Sequence, residues 1–437
     1  MSPAITSTFR SLRVRNYRLF ATGQVVSLSG TWGQRVAQDW LVLELSGNSG
    51  LALGITTGLQ FLPILLFSLW GGVLADRYDK RRLLIGAQVA MAVLALLLGV
   101  LDATGAVALW HVYALAFLLG TASALDTPVR QAFVVEMVGP RELPNAVSLN
   151  SATFNSARIL GPALAGLAIA LAGTAVVFFA NAVTYAAVVA GLLLMHTDEL
   201  RPAQPVLRAR GQLRQGLSYV RTRPQLLIPI LLVAAVGTFG LNFQLTLALV
   251  AKQVFDRGAA SFGLLTSMFA AGALIGALAS ARREGPPRQR LLFGSAAVFG
   301  VLEVLVGLAP TYAVMAVLLV PTGAAVLTFT TAANAHLQLA CDAQMRGRVM
   351  SLYVLVFLGG TPFGAPLIGG LAQAFGPRAS LLVGGVLSAG AAGLAAWAML
   401  RAQARAASSA TRRTPPVPDH QVPERSRPAA PVPSLRG

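Results

Sequence analysis

Twelve long apolar runs, separated by short polar segments, constrain this chain more than anything else in it. They fall at about 19–45, 51–75, 83–101, 109–129, 145–172 and 174–195, then at 225–251, 260–281, 290–309, 311–336, 349–373 and 378–400. A helix crossing a bilayer needs about 20 such residues, and in hydrocarbon each backbone N–H and C=O must be satisfied inside the protein. The runs therefore predict an all-α membrane protein with twelve transmembrane helices. Composition agrees: 55% of the 437 residues are hydrophobic and 11% charged, against roughly 25% charged in a soluble domain. That balance excludes an ordinary soluble enzyme, and it excludes disorder over most of the chain. One cysteine, Cys341, excludes a disulfide framework. The polar, basic stretch Met1–Asn16 and the long run after it do not have the form of a cleavable signal peptide.

The net charge of +18 gains meaning from where it sits. Four of the 34 Lys and Arg precede the first run, four lie in the second loop, two in the fourth, six in the sixth, four in the eighth, two in the tenth and seven in the tail. Odd-numbered loops hold three: Lys252, Arg257 and Arg378. Two more, Arg35 and Arg158, lie inside runs. Under the positive-inside rule both termini and the even loops are cytoplasmic, which requires an even number of helices. The basic balance is thus topology, with anionic headgroups as its partner, and no nucleic acid is expected.

The chain also repeats. Ser148, Leu149, Gly161, Gly166 and Gly173 recur 203 positions later as Ser351, Leu352, Gly364, Gly369 and Gly376. Gly54, Thr57 and Arg81 recur 209 positions later as Gly263, Thr266 and Arg290. Two six-helix bundles of the same sense, 19–195 and 225–400, are expected. A cytoplasmic N-terminus (1–18), a cytoplasmic linker (196–224) and a disordered basic, Pro-rich tail (401–437) complete the predicted domains.

The sharpest motif joins the second and third runs: Gly72, Asp76, Arg77, Asp79, Lys80, Arg81 and Arg82. It resembles the cytoplasmic gate motif of the major facilitator superfamily, G-x-x-x-D-R-x-G-R-R-x, with Asp79 in place of the second Gly. The stretches Gln38–Leu45 and Arg346–Tyr353 look like the branch holding enterobactin exporters and macrolide efflux proteins, and the resemblance covers about 10–400. It implies that Asp76 accepts hydrogen bonds from the start of the eleventh helix near Gly347, where free N–H groups and the helix dipole favour an anion. It further implies that Arg77 and Arg81 bind an acid such as Asp126. The contact would tie the halves together at the cytoplasmic face and hold an outward-open state.

Ionisable residues inside the runs are costly and mark function by default. In the first run Gln24, Ser27, Thr31, Gln34, Arg35 and Gln38 form one polar stripe, which should face a cavity or polar partners. Arg35 and Asp39 are spaced to pair along a helix. Gln34, Arg35, Gln38, Asp39 and Arg158 are the candidate proton-coupling and substrate residues. Asp39 is either a coupling acid or cationic-substrate contact, or else a partner for Arg35 or Arg158; Arg158 either meets an anionic group or balances Asp39. Glu303 suits snorkelling or packing. Gly161, Pro162, Pro362, Gly364 and Pro366 are candidate hinges, and Gly272-x-x-x-Gly276 suits close packing. His111 and His336 lack metal-ligand spacing, so no metal site and no catalytic residues are expected. No phosphate loop is present, so a proton gradient, without cofactor, is the expected energy source.

By resemblance the chain is a monomeric inner-membrane (plasma-membrane) transporter. It would export a hydrophobic or amphipathic small molecule, a drug, macrolide or siderophore, in exchange for protons. A nutrient importer, a lysophospholipid flippase and a non-transporting sensor or scaffold are the alternatives.

Overall fold

Helices run through nearly every apolar stretch, and their ends show why. The computed structural model describes residues 9–200, 212–283, 285, 287–342 and 344–411. Helix α1 spans Arg15–Leu45, α2 Gly50–Arg77, α3 Lys80–Ala103, α4 Leu109–Ala172 and α5 Thr174–Leu193. Ser49 caps α2 by accepting from the Ala52 N–H. Asp79, the departure from the gate motif, caps α3 by accepting from the Arg82 N–H at 2.8 Å, as a helix start rewards. The second half contains α7 Pro224–Ala235, α8 Phe243–Leu249, α9 Ala259–Ala281, α10 Gln289–Gly307, α11 Tyr312–Ala340, α12 Arg346–Gly359, α13 Thr361–Phe375 and α14 Pro377–Thr411. A short helix α6, Gln212–Arg221, precedes it. Among the described residues there is no strand, and ten stretches are long and apolar enough to cross a membrane.

Four boundaries differ from expectation. Helix α4 is 64 residues long and runs through the predicted loop at 130–144. It bends at Gly139 (φ 69°, ψ 174°), and Pro140 then opens a new helical stretch, where a missing N–H costs nothing. No break occurs at the proposed hinge Gly161–Pro162. The run at 225–251 is not one helix: π-helical turns at Val236–Gly240 and Val250–Val254 flank α8. Last, α14 continues to Thr411, into the tail expected to be disordered, because its Ala-rich sequence extends a helix readily. Residues 412–437 and 201–211 of the predicted tail and linker lie outside the described residues.

Two crossings join the halves, and they are copies of one another. A Cβ on Gly54 of α2 would lie 2.4 Å from the Ala365 carbonyl oxygen of α13, and one on Gly369 would lie 2.2 Å from the Gly50 oxygen. In the second crossing, a Cβ on Gly263 of α9 would lie 2.3 Å from the Pro162 oxygen of α4, and one on Gly166 would lie 2.6 Å from the Ala259 oxygen. These are the same positions displaced by 209 and 203 residues. Ser49 Oγ donates to Gln373 Oε1 at 2.6 Å beside the first crossing, and Ser267 Oγ donates to the Ile159 carbonyl at 2.6 Å beside the second.

Both crossings sit at the Arg-poor end of the bundle. Toward the Arg-rich end a cavity of about 330 Å³ lies between α2 and α12, bordered by Ile64, Leu65 and Ser68 on one side and Gly347, Met350 and Ser351 on the other. Among the described residues the hydrogen bonds between the halves run from the Arg-poor end, at Ser49–Gln373 and Asn48–Gln253, to mid-membrane, at Ile159–Ser267. The halves thus approach most closely at the Arg-poor end, and the space between them lies toward the Arg-rich end.

The crossings predict a conformational phenotype. Gly263→Val places a side chain where Pro162 already lies, so the Arg-poor end should no longer seal. Spin labels at Glu44 and Phe375, in a background with Cys341 replaced by Ala, should show a longer-distance population in the variant. An unchanged distance distribution would mean that this approach does not hold the seal.

Candidate binding cavity

A cavity of about 290 Å³ lies between the halves, on the Arg-rich side of the crossings. The first half contributes Trp32 and Arg35 from α1, Thr57 and Phe61 from α2, and Arg158 from α4. Arg158 stands 14 residues before Ala172, about 21 Å by helical rise and so near mid-membrane. The opposite wall is largely apolar: Leu241, Phe243, Leu245, Phe269, Val326, Phe357 and Leu358. The break before α8 matters here. It lets Leu241–Leu245 face the cavity with Asn242 and Gln244 among them, while Asn242 Nδ2 returns a hydrogen bond to the Thr238 carbonyl at 2.8 Å. Interrupted helices are tolerated at membrane depth where they line a cavity.

The two arginines flank one aromatic ring. The Arg35 guanidinium lies 4.7 Å from the Trp32 ring centroid and 5.5 Å from that of Phe61; the Arg158 guanidinium lies 6.0 Å from Trp32. Phe154 meets Trp32 edge-on at 5.7 Å and fixes its plane. Neither arginine has an ion pair among the described residues, and Arg35 Nε is buried without a hydrogen bond. Cation–π contact returns about 0.5–2 kcal/mol. Removing a guanidinium from water costs several, so the rings do not balance the charge.

Asp39 does not pair with Arg35 or Arg158, contrary to expectation. It is 4% exposed and accepts a hydrogen bond at 2.9 Å from Gln244 Nε2, which belongs to the other half. Gln34 and Gln38 do not line the cavity either. Gln34 Oε1 accepts from Asn181 Nδ2 of α5, and Gln24 Oε1 from Arg130 at 3.0 Å. The stripe on α1 therefore meets polar partners for much of its length. Sequence reasoning missed Gln244, although a polar residue soon after Gly237, Gly240 and Asn242 in an apolar run was a usable signal. Glu303 is fully buried against Gly240 and Gly384, so it does not snorkel.

The gate residues are arranged differently from the motif's implication. Arg81 binds the carbonyls of Leu192 and Leu193 at the end of α5, at 2.6 and 3.1 Å. Helix C-termini leave carbonyls free for such a cation. Asp126 accepts instead from Gln88 at 2.9 Å and pairs with Arg130 at 3.3 Å, while Arg77 is exposed. Lys80 finds a buried acid that sequence reasoning passed over, Glu136, at 2.7 Å. Gly347 borders the cavity between α2 and α12. The side chains of Gly72 and Asp76 lie outside those described. Among the proposed hinges, Gly161 and Gly364 are contact points: Cβ atoms there would lie 2.6 Å from the Ser29 oxygen and 2.0 Å from the Thr238 oxygen. Helix continuity is interrupted between α12 and α13, at Gly360, two residues before Pro362.

A family model described as transmembrane secretion effector matches residues 6–430. The chain belongs to that family, within the major facilitator superfamily of membrane transporters. Its relatives include the staphyloferrin A transporter of Staphylococcus aureus, 29% identical over 60% of this chain and 66% of that one. The chain thus matches just under two thirds of that relative's length. The enterobactin exporter of Shigella flexneri is 26% identical over 83% of this chain and 85% of that one. Macrolide efflux protein A of Streptococcus pyogenes is 24% identical over 87% and 94%. Among solved structures, a bacterial homologue of the human lysosomal transporter Spinster, inward-facing and occupied, shares the fold. Its TM-score is 0.70 at 15% identity, covering 88% of this chain and 97% of that one. This family member is a multi-pass membrane protein.

The Lys80–Glu136 pair separates structural from topogenic charge. Lys80→Ala removes the cation that Glu136 meets at 2.7 Å and should lower the melting temperature in detergent. Arg82→Ala, at an exposed position, should melt like the parent. Equal melting of the two variants would refute the distinction.

Proposed function

We propose that this protein is a secondary active exporter that moves a hydrophobic or amphipathic small molecule out of the cell in exchange for protons, by alternating access. One observation carries the reading: a charged cavity lies between two pseudo-equivalent halves that approach most closely at one end, with the space between them toward the other. With the Arg-rich end cytoplasmic, as the positive-inside rule requires, this is the inward-facing state. Helix α4, bent at Gly139, then counts as two spans, and α1 adds one to the ten apolar stretches. That gives twelve helices in a 19–195 bundle and a 225–400 bundle, with both termini cytoplasmic, in the plasma membrane. The unit is a monomer and runs on the proton gradient without a resident cofactor. Relatives that are an enterobactin exporter and a macrolide efflux protein favour export over import.

Asp39 is the coupling acid in this reading. Its bond to Gln244 crosses between halves at the end that must open to release substrate. A bond to a carboxylate is charge-assisted and roughly twice as strong as a neutral one. A proton arriving at Asp39 therefore weakens a tie across the seam, which links protonation to opening. Asp76 and Gly347 would meet when the Arg-rich end closes.

In proteoliposomes, Asp39→Asn should bind substrate while losing acceleration by an imposed proton gradient; counterflow exchange should persist. Gradient-driven transport equal to that of the parent would remove Asp39 from coupling.

A further inference from the structure

We infer that the cavity binds an amphipathic organic anion, whose acidic group bridges Arg35 and Arg158 while its apolar body lies against the second half. This rests on reading the cavity as the transport site. Two guanidinium groups border the space, both within 6.0 Å of the Trp32 ring centroid, and the buried Arg35 Nε lacks a hydrogen bond. The nearby carboxylate, Asp39, is already engaged by Gln244 and supplies one negative charge against two positive ones. Charge balance in a low-dielectric cavity therefore calls for an anion from outside the protein. Its geometry is also specified: guanidinium forks bind planar or tetrahedral oxyanions through paired N–H···O bonds, and stacking on Trp32 fixes the Arg35 plane.

The opposite wall rejects a small inorganic ion. Phe243, Phe269, Val326, Phe357 and Leu358 line it, and filling it with chloride or phosphate would strand their apolar surface against water. An acid joined to an aromatic or alkyl body satisfies both walls. The internal repeat shows that the charge is specific to this site. Thr57 and Thr266 are equivalent and both line the cavity, yet the counterpart of Arg158 is Thr361. The fold asks for a polar residue there; this chain supplies a cation in one half alone. An inside-negative potential would then drive the bound anion outward, the direction of export.

The test uses the purified full-length protein in lipid nanodiscs, with calorimetric titration of 1-naphthylacetate and its uncharged amide. The acid should bind at least tenfold more tightly than the amide. In the double variant Arg35→Gln, Arg158→Gln the acid should lose at least tenfold while the amide stays within threefold. Equal affinity for acid and amide in the unmodified protein overturns the inference without any variant, and so does an acid that fails to bind. Displacement of naphthylacetate by lysophosphatidylglycerol, but not by lysophosphatidylcholine, supports the site with a lipid anion as its ligand. Displacement by neither supports it with a soluble acid, and equal displacement by both counts against it. Flux in proteoliposomes separates the two readings. Binding with this charge preference but no translocation defeats the export reading and leaves the anion site standing. Translocation of acid and amide alike does the reverse.

Discussion

The backbone-to-backbone approach of α2 to α13 and of α4 to α9 is the constraint on which the rest depends. In a bilayer the hydrophobic effect does not drive helix to helix, because lipid tails are as apolar as leucine. Association rests on close packing and on a few hydrogen bonds. Gly54, Gly369, Gly166 and Gly263 permit the closest packing available, carbonyl oxygen against Cα. Two such crossings fix the halves at one end and set the cavity's depth below them. An interface of this kind forfeits little when it separates, since lipid or water can take up the same surfaces. A seam of interlocked leucines would be stickier in water and no tighter in lipid.

Charge inside this frame is treated unevenly. Two buried acids, Asp126 and Glu136, meet cations at Arg130 and Lys80, whereas Glu303 is buried against Gly240 and Gly384. Those pairs lie within the first half; the Lys80–Glu136 pair ties α3 to α4, and Arg130 in turn donates to Gln24 of α1. Arg35 and Arg158 break the pattern at mid-membrane, where an unpaired charge costs most. The aromatic contacts around Trp32 offset part of that cost and also hold the guanidinium planes still. A flexible arginine would find water or a carbonyl; a stacked one stays presented to the cavity.

Much of the fold was legible because membrane helices announce themselves by length and apolarity. Eleven of the run boundaries needed only local signals such as Ser49, Asp79 and Thr311 at helix starts. The failures share a cause, which is that tertiary partners decided them. The interval between the runs at 109–129 and 145–172 read as a loop, yet Pro140 follows a bend at Gly139 and begins a helix without losing a bond. The break before α8 hid in an apolar run whose hydrophobicity is indifferent to backbone path. For Arg81, reasoning by charge sign proposed an acid, whereas the nearest acceptors were the free carbonyls of α5. The pair Arg35–Asp39 was plausible by helical spacing alone, but Gln244 of the other half competes for the same carboxylate, and no single-segment pattern contains that competitor. The repeat was read as a sign of two halves; its glycines turn out to be the contact points themselves.

That last correspondence separates two things the chain encodes. Gly54 and Gly263, Gly166 and Gly369, Thr57 and Thr266 are duplicated with their environments, so the crossings and the upper cavity rim are built twice. Arg35, Asp39 and Arg158 belong to one half. A symmetric seam lets either end open by equivalent motions about the same axis, because each crossing is matched by its copy. Recognition needs no such symmetry, since a ligand with one acidic end and one apolar end has none. Substitutions at the duplicated positions therefore act on which end is open. Substitutions at the unduplicated charges act on the cavity and, at Asp39, on its bond to Gln244 across the seam.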